Sequence, residues 1–216
     1  SDTSYTNIIA CDSAVWNGST YTQSGTYYNN TGGSNNNYSI SINSTSQDHI
    51  NITNQPSVTS YTFLGWIKIN TNSGTGDAII SSNGNSFIRI TNPGGLLPGY
   101  VLGYNSLTGN PQAQITLQES VWIFVSAVHS NDTITFYVNG IEDTKTYDPT
   151  VPITFQYIGC NNNIVNNQSN FGHFIDADFD DFSLWNTPLS QSEIQQYMNC
   201  PPTGNESGLV GYWNFE

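Results

Sequence analysis

Positive charge is what this 216-residue chain has least of. Lys68, Arg89 and Lys145 stand against sixteen acidic residues, for a formal net charge of −13. Phosphate-backbone binding rests on clustered cations, so no nucleic acid partner is expected and an anionic membrane surface is a poor one. Strongly sulfated or uronate-rich polymers would be repelled as well, unless a bound cation inverts the local field. No apolar run approaches the roughly 20 residues that span a bilayer, so no membrane insertion is expected. No signal-peptide pattern opens the chain, which is expected to be a mature or excised piece tethered to other domains.

Cysteine is scarce too. Cys11, Cys160 and Cys200 show no metal-ligand spacing, and three cysteines allow one bridge with one thiol left over. Cys160 ends an apolar strand pattern and reads as a small buried residue. Cys11 and Cys200 lie near opposite ends of the chain, which in compact domains often meet. They are the expected pair, and a bridge implies an oxidising, extracellular setting. No H-E-x-x-H, P-loop or G-x-G-x-x-G occurs, which leaves no signature for nucleotide or catalytic zinc chemistry. His49, His129 and His173 are scattered without a nucleophile–base pattern and read as surface or satisfied strand histidines.

What is present is bulk without charge. Aromatic residues make up 13% of the chain, and 29 Asn stand beside many Ser and Thr. Aromatic and β-branched residues in this number exclude disorder, and the length suffices for a buried core. A surface of neutral hydrogen-bonding groups suits polar, uncharged ligands.

Asp176-Ala-Asp-Phe-Asp-Asp-Phe-Ser-Leu-Trp185 is the most unusual stretch, holding four of the eleven Asp. Strand alternation puts Ile175, Ala177 and Phe179 on one face and Asp176, Asp178 and Asp180 on the other. Phe182 and Leu184 then fall out of phase. Keeping all five apolar residues in the core requires one extra residue at Asp180–Asp181, which predicts a β-bulge. Four close carboxylates are also expected to carry raised pKa values through mutual repulsion.

Residues 1–33 read as an N-terminal extension packed on the main domain, with a hairpin signalled by Asn17-Gly18 between Ala14–Trp16 and Thr20–Thr22. Residues 34–216 read as one domain. Strand patterns follow at 38–42, 49–52, 61–69, 78–81, 87–90, 100–104, 112–117, 121–129, 133–138, 153–159 and 175–185, spaced as in a two-sheet antiparallel sandwich. Ser190-x-x-Glu193 is a capping box opening one short helix that Cys200-Pro-Pro stops. A last strand, 209–215, is expected to close the sandwich beside 176–185.

Four segments carry a resemblance. Tyr61-Thr-Phe-Leu-Gly-Trp-Ile-Lys-Ile69, Val121-Trp-Ile-Phe-Val-Ser-Ala-Val-His129, Ile134-Thr-Phe-Tyr-Val-Asn-Gly140 and Phe179-Asp-Asp-Phe-Ser-Leu-Trp-Asn-Thr-Pro-Leu-Ser-Gln-Ser-Glu-Ile194 occur in the order of the laminin-G-like, concanavalin A-like jelly-roll family, pentraxins included. The resemblance implies an all-β jelly roll and a secreted, non-catalytic module that binds a polysaccharide or oligosaccharide. It also places Trp66, Trp122 and Trp185 in the core or closing strand, and Asp77 with Asn161, Asn162 and Asn163 where pentraxins hold calcium. Here the loop positions are amides, which bind calcium more weakly than carboxylates do.

Sugars stack on aromatic rings while amides take their hydroxyls. Candidate ligand residues are therefore Trp16, Asp77, Tyr100, Tyr104, Asn105 and Asn161–Asn163, with Trp213 as another exposed ring. Asp178, Asp180 and Asp181 at the bulge are candidates for a structural calcium (Ca2+). Two other functions stay open. One is a structural or adhesive spacer of a cell-surface protein. The other is a glycoside hydrolase working through Asp176, Asp178 and Asp180, although a short Asp on every position departs from the usual spacing of about 5 Å between an acid and a nucleophile.

Overall fold

The computed structural model describes residues 14–16, 19–21, 39–71, 76–82, 86–91, 100–105, 109–165 and 168–215. At the N-terminus β1 (Ala14–Trp16) pairs with β2 (Ser19–Tyr21). The rest of the expected extension over residues 1–33 lies outside the described residues.

Two antiparallel sheets face each other. The five-stranded sheet runs β4 (Ile50–Asn51), β12 (Phe155–Ile158), β6 (Asp77–Ser82), β7 (Phe87–Thr91), β8 (Val101–Asn105). The seven-stranded sheet runs β11 (Ile141–Tyr147), β10 (Thr133–Val138), β9 (Trp122–Ser130), β5 (Tyr61–Thr71), β15 (Asp176–Trp185), β16 (Leu209–Trp213). Its remaining strand, β3 (Ile40–Ile42), pairs with the first half of β15, and β16 pairs with the second half. Between the sheets lies one core, in which Phe63, Ile67, Ile79, Ile88, Leu102, Val125, Phe136, Phe155 and Phe182 pack together. This is an all-β jelly-roll sandwich.

Turn chemistry explains the hairpins flanking β10. Asn131 and Asp132, then Asn139 and Gly140, all have positive φ, as two-residue turns matching strand twist require. Asn139 further accepts the Phe124 N–H through Oδ1. Three strands escape the apolar patterns. β11 is an edge strand exposed along much of its length, and β13 (Asn161–Val165) with β14 (Gln168–Gly172) forms an amide-rich hairpin where a loop is expected. The expected strand at 112–117 is reduced to isolated bridges, Gly103 with Gln112 and Tyr100 with Leu117.

Helix α1 (Gln191–Asn199) starts where the capping box places it. Ser190 Oγ accepts from the Glu193 N–H, and the Ser190 N–H donates to Glu193 Oε2 at 2.7 Å. Thr62 Oγ1 fixes the approach to the helix, donating to the Thr187 carbonyl and accepting from the Leu189 N–H, both at 2.8 Å. Leu189 and Ile194 then pack on Leu64, Phe124, Val128, Tyr137 and Trp185. The helix thus covers one half of the outer face of the seven-stranded sheet. Beyond that cover, Trp66, Lys68 and Asn70 on β5 are only half-buried.

Candidate functional site

The bulge lies at the expected place. The register of β15 against β5 slips between Asp180 and Ser183, and Asp181 takes a φ of +50°. The slip returns Phe182 and Leu184 to the core, where Ala177 and Phe179 already lie. The carboxylates, however, do not converge. Asp178 forms an ion pair with Lys68 and accepts from Asn70 Nδ2 at 3.1 Å. Asp180 Oδ1 accepts the Asp181 N–H, and Asp181 Oδ1 accepts the Tyr212 hydroxyl at 2.6 Å. Among the described residues no group of three His, Cys, Asp or Glu side chains comes together as metal ligands.

The expected rise in carboxylate pKa fails at Asp178. Partial burial pushes its pKa up, but hydrogen bonds from Lys68, Asn70 and Ser41 and the Lys68 charge outweigh it, and the net direction is down. A lowered folded-state pKa contributes stability above the unfolded value of about 3.9, lost as pH falls through the folded value. Asp178→Asn is therefore expected to cost under about 1 kcal/mol at neutral pH, because the pair is partly exposed. Acid titrations of wild type and variant should converge below the pH where Asp178 protonates; a gap persisting there would refute the assignment.

The aromatic residues are redistributed relative to expectation. Tyr104 is 2% exposed and belongs to the core, so it is no platform, and burial raises its pKa. Strand β8 points Leu102 and Tyr104 inward, an alternation that aromatic content alone cannot reveal. Trp213 is half-buried against the core. Trp122 departs from its expected buried place at 37% exposure, with Lys68 Nζ 5.5 Å from its ring centroid. Trp185 is buried as expected. Trp16 ends β1, and its side chain lies outside the described residues.

Asp77 and Tyr100 share one end of the sandwich. Asp77 is buried at the start of β6; Tyr100 is half-buried against the core. Burial raises the Tyr100 pKa, and the carboxylates of Glu119 and Asp77 raise it further. Asn105 is half-buried at the end of β8, in register with Phe87.

Asn161 and Asn162 are buried rather than displayed on a loop. Hydrogen bonds tie their hairpin to the five-stranded sheet, with the Ala78 N–H donating to the His173 carbonyl and Ser81 Oγ donating to the Cys160 carbonyl. Asn162 is spent internally: Nδ2 donates to the Tyr157 hydroxyl at 3.1 Å, and Oδ1 accepts the Asn170 N–H at 3.1 Å. Asn163 is in backbone register with Asn170. In the pentraxin-like arrangement calcium would need several of these oxygens. Here Asp77 brings the one carboxylate of the set, Asn162 Oδ1 already accepts the Asn170 N–H, and Asn161 Oδ1 is buried with no hydrogen-bond partner, whereas calcium takes six to eight oxygens.

Above Asn162 lies a cluster that none of the sequence motifs indicates. His49, Tyr157, Phe171 and Phe174 form it: His49 and Phe171 centroids are 4.9 Å apart, Tyr157 meets Phe171 edge-on at 5.4 Å, and Phe174 lies 6.2 Å from His49. Phe171 remains 38% exposed and His49 is exposed. Next to it His173 packs on Phe87 at 5.1 Å. The result is an apolar ledge edged by amides, with Asn162 Nδ2 donating to the Tyr157 hydroxyl. Its rings come from 49, 157, 171 and 174, so their only signal in sequence is aromatic content beside amides.

Cysteine chemistry is structural. Cys160 is free and buried, its thiol pushed up to about 12 by desolvation, so it is inert. Cys200 is disulfide-bonded; its expected partner, Cys11, lies outside the described residues.

Known proteins share this architecture. A candidate carbohydrate-binding protein from Bacteroides ovatus superposes with a TM-score of 0.64 at 17% identity, over 78% of this chain and 49% of that one, so the match spans about half of that protein. A heptameric SAP-like pentraxin from Limulus polyphemus gives a TM-score of 0.59 at 18% identity, over 76% of this chain and 81% of the pentraxin. No curated protein matches the sequence. Residues 43–195, more than half of the chain, match the Laminin_G_3 family model, and the chain belongs to this family of the concanavalin A-like lectin/glucanases superfamily.

Proposed function

We propose that this chain is a non-catalytic carbohydrate-binding module of a larger secreted protein. The observation that carries the reading is the ledge of His49, Tyr157, Phe171 and Phe174, exposed at Phe171, with Asn162 donating to the Tyr157 hydroxyl. Sugar rings stack their C–H faces on such surfaces. Family membership and the carbohydrate-binding description of the Bacteroides ovatus protein support it.

Hydrolysis on the Asp strand is disfavoured by its own geometry. Burial raises the Asp178 pKa, but the ion pair with Lys68 and the hydrogen bond from Asn70 bring it below its usual value, which makes it a poor proton donor for glycoside cleavage. The spacer reading gains no such observation, since a spacer has no use for an exposed aromatic ledge.

A glycan array of neutral and acidic oligosaccharides, probed with and without a calcium chelator, tests the proposal. Binding should persist in chelator, because the amide-rich hairpin is held by its own hydrogen bonds. Phe171→Ala should weaken it about tenfold with the fold intact, as the loss of one stacking ring. Absence of binding to every glycan, or full affinity in Phe171→Ala, would overturn the assignment.

A further inference from the structure

Of the three cations in the chain, Arg89 is set apart by its surroundings. On β7, Ile88 and Ile90 point into the core, so Arg89 points to the outer face of the five-stranded sheet. In register it stands between Ala78 on β6 and Gly103 on β8. Neither neighbour has a side chain that could cover a guanidinium. Gly76 backs the group: a Cβ there would come within 2.7 Å of Arg89 Nη1, and one at Gly103 would be 3.5 Å from Nε. Arg89 therefore lies in a trough floored by Ala78 and Gly103 and bordered by Pro111 and Gln112, whose carbonyl oxygen and Cγ come within 3.3 and 3.5 Å of where a Gly103 Cβ would be.

Among the described residues its charge has no ion-pair partner. Nε is buried with no hydrogen-bond partner. Lys68, by contrast, is paired with Asp178. Burial alone lowers the Arg89 pKa. A guanidinium brings five donors in a planar fork, and burying Nε without an acceptor costs free energy that a purely structural residue would not need to incur. An apolar or amide residue would fill the trough at lower cost. The same face continues through Phe87, two residues away on β7, to His173 and the aromatic ledge.

We propose that Arg89 is the anchor for a carboxylate-bearing sugar bound on this face, its guanidinium taking the carboxylate while the ledge stacks the neighbouring sugar ring. This rests on the carbohydrate-binding reading and adds the class of sugar to it. Carboxylate is the acceptor whose two oxygens match the guanidinium fork. The net charge of −13 shapes the preference further. At physiological ionic strength remote charges are screened beyond about 8 Å. A glycan with isolated carboxylates meets Arg89 alone, whereas a dense polyanion meets the acidic surface as well. The selected ligand is a sparsely acidic glycan.

The test is an array carrying uronic-acid and sialic-acid oligosaccharides beside their carboxyl methyl esters and neutral parents, probed with the full chain and with Arg89→Gln and Arg89→Lys. Wild type should prefer a free acid over its ester by about tenfold or more. Arg89→Gln should lose that preference while keeping the neutral parent, and Arg89→Lys should recover it only in part. The thermal midpoint of Arg89→Gln should be unchanged or higher, because the buried, unpartnered Nε is removed; a structural Arg89 would lower it. Equal binding of acid and ester, or a preference that survives Arg89→Gln, overturns the proposal and leaves carbohydrate binding standing. Silence across every spot, neutral ones included, overturns both.

Discussion

Phe182→Ala is expected to lower the free energy of unfolding by about 3–5 kcal/mol, the range for removing a fully buried phenyl ring. The ring is fully buried, and three others surround it: Phe179 at 4.7 Å, Phe63 edge-on at 5.1 Å and Phe215 at 6.1 Å. It also lies over Gly65, where a Cβ would run into the ring. Phe182 is the first residue after the bulge, so its burial is what the extra residue at Asp180–Asp181 secures. The cavity can close only if the bulge itself relaxes, and relaxation would turn Leu184 out of the core. Urea unfolding should show a lower midpoint with an unchanged slope. A loss below about 1 kcal/mol would mean that the strand re-registers freely and that the bulge is not pinned by packing.

His129→Ala is expected to cost roughly 2–4 kcal/mol through a different cause, the loss of a buried hydrogen-bond donor to a carboxylate together with a packed ring. His129 and Asp148 are both buried, with Nε2 3.2 Å from Asp148 Oδ2 and 3.1 Å from the Asp148 carbonyl oxygen. Tyr61 stacks on the imidazole at 5.4 Å with an interplanar angle of 13°. Nδ1 has no partner, which favours the tautomer with the proton on Nε2, since a second N–H would be buried unsatisfied. Truncation takes away the donor and the stacked ring together and leaves the Asp148 carboxylate buried without its imidazole. His129→Gln, which keeps a donor at similar reach, should lose markedly less. Equal losses for the two substitutions would show that ring packing rather than the hydrogen bond holds this corner.

Legibility in the sequence followed periodicity. The bulge could be read because Phe179 and Phe182 are three residues apart in a strand whose core-facing residues otherwise recur every two. Helix α1 could be read because Ser190 and Glu193 cap it by local bonds alone. β11, β13 and β14 were illegible for the opposite reason: an edge strand and an amide-rich hairpin carry no alternation of apolar residues to register. Tyr104 and Trp122 exchanged expected places, since core and surface differ there only in what covers each sheet face. The ledge was dispersed across more than 120 positions of chain, from His49 to Phe174. Arg89 was visible as a rare cation, but the small residues flanking it come from two other strands.

The division of β15 between two partners sets the order in which the molecule can be completed. Its first half needs residues 40–42 and its second half residues 209–213, both on the side away from β5. Loop closure on that scale is entropically slow, and long-range pairing of this kind belongs to the slow end of folding rates. During synthesis, Phe182 to Trp185 remain an open edge until the chain has grown some 25 residues past them. Until then the segment offers unpaired backbone groups to any neighbouring strand. Asp180 and Asp181, at the start of that edge, place two negative charges against premature association with a second acidic chain.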